Sequence, residues 1–125
     1  MVTIRLIVIA LAGFVSASSA NEPLTYALSK DCLEKVEIES SEEPGTWWLA
    51  MTARADESLR IEHFTRQHLG HKLLIVNSEG APLIPEPVTI LTPLSKRLRI
   101  VASTRDDAQR VVRLLAVGGK CGPAT

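Results

Sequence analysis

The sequence predicts an α+β fold, a mostly antiparallel sheet covered by two helices and fastened by one disulfide. Three observations lead there. Trp47 to Thr52, Lys72 to Asn77, Val88 to Leu91 and Lys96 to Ser103 have the period-two or β-branched character of strands. Only Asp56 to Leu69 and the stretch from Ser103 to Leu115 carry a helical apolar stripe. Cys32 and Cys121 are the only cysteines, an even count near opposite ends of 21–125.

The chain begins with what reads as an export signal. Arg5 is the only charge in 1–20, Leu6 to Val15 is apolar, and Ser16-Ala17-Ser18-Ser19-Ala20 supplies the small residues of a cleavage site. An apolar run of roughly ten residues is too short for the roughly twenty that a spanning helix needs. Cleavage after Ala20 is expected, leaving 21–125 as a single domain in the periplasm or secreted, with no membrane span. Such a compartment is oxidising, so Cys32 and Cys121 are expected to bridge. Closing a loop of about 90 residues contributes about 4 kcal/mol in the chain-entropy model.

Leu24 to Ser29 and Leu33 to Glu39 can both be extended, and in the second Val36 and Ile38 alternate with Lys35, Glu37 and Glu39. After a polar turn, Trp47, Leu49 and Met51 alternate with Trp48, Ala50 and Thr52, which predicts a central strand. Asp56 is a candidate cap for the first helix, Ile61, Phe64 and His68 share a face, and Gly70 suits its end. Leu73 to Val76 is apolar on both faces. In Pro82 to Leu91, three prolines remove backbone donors and confine the segment to an edge, while Val88 to Leu91 can pair. Lys96 to Ser103 reads as a half-buried strand with a basic outer face. Ser103 or Thr104 can cap the last helix, whose stripe is Ala108, Val111, Val112 and Leu115.

From Leu59 to Leu115, about half the chain, this order resembles the first periplasmic head domain of the protein-export subunit SecD. The residues concerned are Phe64-Thr65, Gly70, Leu73 to Val76, Gly80, Ile84-Pro85-Glu86-Pro87-Val88-Thr89-Ile90, Arg99-Ile100-Val101 and Ser103-Thr104-Arg105-Asp106-Asp107-Ala108. The resemblance implies a domain outside the membrane that engages polypeptide during export. The chain departs from that pattern in its lack of transmembrane helices, in its cysteine pair, and in Ala102 where the family often has glycine.

Little in the sequence points to catalysis or a cofactor. There is no HExxH or GxSxG pattern, and no glycine-rich loop precedes a helix. His63 and His68 are five apart, roughly 140° around a helix, and His71 lies beyond Gly70, so no metal is expected. Asp56-Glu57 and Asp106-Asp107 stand at helix starts, where the dipole favours negative charge. Charge is uneven: Asn21 to Glu62 holds ten acids and four bases, His63 to Thr125 four acids and nine bases. No run of like charges exceeds two residues, and Lys96, Arg97, Arg99, Arg105, Arg110 and Arg113 lack the aromatic platforms of a nucleic-acid groove. The expectation is a non-enzymatic exported domain that binds another polypeptide, with an inhibitor or immunity protein against one toxic enzyme as the alternative. The candidate partner surface is Val88, Thr89, Ile90, Leu91, Arg97 and Arg99, since an unprotected edge can recruit a strand.

Overall fold

The computed structural model describes residues 22–124; the predicted export signal lies outside them. In chain order the strands are β1 (Leu24–Ala27), β2 (Leu33–Ser40), β3 (Trp47–Ala53), β4 (Lys72–Val76), β5 (Val88–Thr89), β6 (Arg97–Ala102) and β7 (Gly122–Pro123). Helix α1 (Ala55–Gln67) follows β3, α2 (Arg105–Leu115) follows β6, and a 3-10 turn, Lys30–Cys32, joins β1 to β2. The fold is α+β with a Cys32–Cys121 disulfide, as predicted. No helix among the described residues is long and apolar enough to cross a membrane.

The strands divide between two sheets rather than forming the single sheet expected. One has the order β2-β3-β6 and is antiparallel throughout; the other has the order β5-β4-β1-β7. Within the second, β1 runs parallel to β4, with Leu24 opposite Leu73 and Ala27 opposite Val76. A parallel pair needs a long connection, and here β2, β3 and α1 intervene between β1 and β4, so no local signal marks the pairing.

In the first sheet, β3 is central as its alternation predicts. Leu49 stands between Ile38 and Ile100, and Met51 between Val36 and Leu98, all on the inner face. Helix α2 packs across all three strands of that sheet and buries Ala108, Val111 and Leu115. Its N-cap is Thr104, whose Oγ1 accepts a hydrogen bond from the Asp107 amide at 3.0 Å. One cluster of buried side chains runs through both sheets and both helices, from Tyr26 and Leu73 to Leu49, Ile61 and Leu115.

Helix α1 differs from expectation in two respects. Its N-cap is Arg54, with no side-chain cap bond, and Asp56 stands in the first turn instead of capping it. Its buried line is Glu57, Ile61 and Thr65, spaced four apart, whereas Phe64 and His68 are only half-buried. Thr65 is satisfied there: its hydroxyl donates to the Ile61 carbonyl at 2.7 Å and accepts from the Leu94 amide at 2.9 Å.

Candidate functional site

Strand β5 forms one margin of the four-stranded sheet, paired on a single side with β4. Pro82 bridges to Val76, and the Leu83 amide bonds to the Ile75 carbonyl at 2.8 Å, so the first proline lies against the end of β4. The chain then turns away through Pro85 and Pro87. Ile90 bonds back by both backbone groups, its amide to His71 and its carbonyl to the Gly70 amide. An antiparallel ladder alternates, so the amides of Thr89 and Leu91 face away from β4. No strand among the described residues occupies that side. Val88 is 48% exposed and Leu91 81%, large apolar surface beside unpaired backbone.

Strand β6 ends the three-stranded sheet in the same way. The Ala53 amide bonds to the Lys96 carbonyl at 2.7 Å, which sets the phase of the ladder: Leu98, Ile100 and Ala102 direct their backbone groups to β3. Arg97, Arg99 and Val101 direct theirs to the free edge.

Both margins border the same cleft. It has a volume of about 420 Å³, with Met51, Ile75, Ile84, Leu94, Leu98 and Ile100 among its lining. Pro85 to Val88 form one rim and Arg99 to Val101 the other. A smaller recess of about 180 Å³, lined by Leu73 and Val88 to Thr92, shares Val88 and Leu94 with it. The structure thus brings Val88 and Arg99 together on the large cleft and places Thr89, Ile90 and Leu91 on the adjoining recess. Ile90 is buried and serves as an anchor to the fold.

Arg97 lies on the outer face of the three-stranded sheet, opposite Thr52. Arg99 is beside it, 5.7 Å from the Trp48 ring centre and 3.9 Å from Glu39. The other basic residues do not join them: α2 packs on the inner face, and Arg110 pairs with Asp107 at 3.0 Å. The six basic side chains therefore do not form one strip.

A second cluster escaped the sequence reading. Tyr26 of β1 and Glu57 of α1 are both buried, and the Tyr26 hydroxyl donates to Glu57 Oε2. Arg60 Nη1 lies 3.0 Å from Glu57 Oε1 and donates to the Cys121 carbonyl at 3.0 Å. Burial, reinforced by the hydrogen bond to Glu57, pushes the Tyr26 hydroxyl well above its usual range. Glu57 and the two cysteine sulfurs lie within 4.8 Å of one another, but both sulfurs are engaged in the disulfide. The chemistry left to this cluster is structural: it ties β1, α1 and the C-terminal segment together. A first-turn glutamate reads as a dipole partner in sequence, and nothing local marks it as buried.

The histidines separate into two groups. His63 is exposed, whereas the His68 ring stacks on Phe64 with centres 4.6 Å apart and meets His71 edge-on at 5.5 Å. His68 Nδ1–H donates to the Phe64 carbonyl at 2.7 Å. Comparison with protein-family models, with curated proteins and with solved structures gives no match to this chain.

Proposed function

We propose that this chain is a non-enzymatic exported binding domain that engages an extended segment of another polypeptide in the cell envelope. One observation carries the reading: two strand margins with outward-facing amides border a common apolar cleft. Backbone groups at a free edge supply affinity for any extended chain, and the cleft supplies selectivity for its side chains. The likeness of 59–115 to the SecD head domain points to the same role in protein export.

The test is a titration of the oxidised domain with a labelled, permanently unfolded polypeptide such as a reduced and carboxymethylated protein, read by fluorescence anisotropy. Saturable binding is expected. Thr89→Pro removes an amide that faces away from β4, so it should leave the fold intact and weaken binding at least about fivefold. Absence of binding contradicts the reading; equal binding by the variant excludes the β5 margin as the docking edge and leaves that of β6. Recovery from an envelope extract of one folded enzyme, bound tightly and inhibited, also contradicts the reading and favours an inhibitor.

A further inference from the structure

We infer that the free edge of β6 accepts a partner strand in which acidic and apolar residues alternate. This deepens the reading above and rests on it. The outward backbone groups are those of Arg97, Arg99 and Val101, as the phase of the β3–β6 ladder requires. A strand laid beside them sends alternate side chains to the two faces of the sheet. Those on the inner side meet the apolar cleft beneath Leu98 and Ile100. Those on the outer side stand next to Arg97 and Arg99.

Charge selects the outer residues. Arg97 makes no ion pair among the described residues, and Arg99 reaches an acid only at 3.9 Å, across the sheet on β2. Opposite charges on directly facing strand residues stabilise a pair, and like charges destabilise it. Two β6 strands of separate copies, paired in their centred register, set the two Arg99 side chains against each other, so the margin is ill suited to self-pairing.

The sheet already contains a strand of the required kind. In β2, Lys35, Glu37 and Glu39 occupy the outer face while Val36 and Ile38 pack inward. A short acidic row, Glu37 and Glu39, thus flanks Ala50 and Trp48 on one side, and the basic row of β6 flanks them on the other. A partner strand patterned like β2 adds a second acidic row beyond β6. The remaining rival occupant is β2 of a second copy, which would join copies head to tail.

The experiment uses the oxidised domain and two blocked heptapeptides, Glu-Val-Glu-Ile-Glu-Val-Glu and Lys-Val-Lys-Ile-Lys-Val-Lys, with anisotropy for affinity and amide exchange for location. At low salt the acidic peptide should bind at least about tenfold more tightly, and salt should erode that preference because both arginines are exposed. It should slow exchange at Arg97, Arg99 and Val101. The double variant Arg97→Glu, Arg99→Glu should invert the preference, with its circular dichroism and melting curve confirming the fold. Equal affinity for the two peptides, or protection at Thr89 and Leu91 alone, overturns the inference while leaving a polypeptide-binding role in place. Failure of the carboxymethylated polypeptide to bind anywhere removes that role itself. Concentration-dependent self-association of the free domain in sedimentation, abolished by acidic peptide, would identify a second copy as the occupant and overturn the assignment to another protein.

Discussion

The four-stranded sheet ends on two strands of equal length that the chain treats in opposite ways. At one margin, Gly122–Pro123 closes the side of β1 and is held by the Cys32–Cys121 bridge immediately before it. The Ser29 hydroxyl donates to the Gly119 carbonyl at 2.9 Å, Asp31 accepts the Gly119 amide at 2.8 Å, and Arg60 holds the Cys121 carbonyl. At the other margin, Val88–Thr89 has backbone pairing on one side only among the described residues, with exposed apolar side chains around it. The difference shows where this small domain concentrates its order. Covalent and polar contacts secure the margin where the C-terminal segment meets β1, whereas the margins beside the cleft keep one side of their backbone unpaired among the described residues.

That contrast is broken most severely at the bridge. Cys32→Ser with Cys121→Ser should cost about 4 kcal/mol, or somewhat less if the reduced chain retains structure, measured by chemical denaturation against the oxidised protein. A loss below about 1 kcal/mol would mean that the polar contacts around Gly119 suffice alone.

Tyr26→Phe should cost roughly 1–3 kcal/mol, because it leaves the buried Glu57 carboxylate without one of its two donors. The same variant carries a pH signature. The folded Tyr26 hydroxyl titrates above its ordinary value of 10.0, so its contribution is fully present below pH 10 and declines as pH rises beyond it. Tyr26 is the chain's only tyrosine, and its phenolate absorbance reports the transition directly. The alkaline slope of stability should be shallower in Tyr26→Phe by up to about 1.4 kcal/mol per pH unit.

Gly119→Ala probes the closed margin from the backbone side. Gly119 has φ +129°, and an added Cβ would lie 2.7 Å from Ser78 Cβ, so a loss of roughly 1–3 kcal/mol is expected in thermal melts. At the open margin, by contrast, Thr89→Pro should change stability by no more than about 0.5 kcal/mol, since no ladder bond is removed.

The legible parts of this fold are those specified by neighbouring residues. The alternation of β2 and β3, the Thr104 cap and the α2 stripe follow from periods and capping chemistry, and the disulfide follows from an even cysteine count in a chain with an apparent export signal. What stayed hidden depends on residues far apart in sequence. The parallel pairing of β1 with β4 joins segments almost fifty positions apart, and it splits the strands into two sheets. Glu57 looks like an ordinary helix-start acid until Tyr26, thirty-one positions earlier, is folded onto it. The candidate site was half legible. Prolines marked Val88 to Leu91 as a margin and alternation marked Arg97 and Arg99 as an outer row, but the cleft joining them is a product of how the sheets meet.

Amide hydrogen exchange on the free, oxidised domain reads the open margins residue by residue. An alternating pattern is expected: rapid exchange at Thr89, Leu91, Arg97, Arg99 and Val101, and protection at Ile90, Leu98 and Ile100. Adding the carboxymethylated polypeptide should slow the first group and leave the second unchanged. Uniform protection of both groups in the free domain would show the margins already covered and would rule out strand addition there.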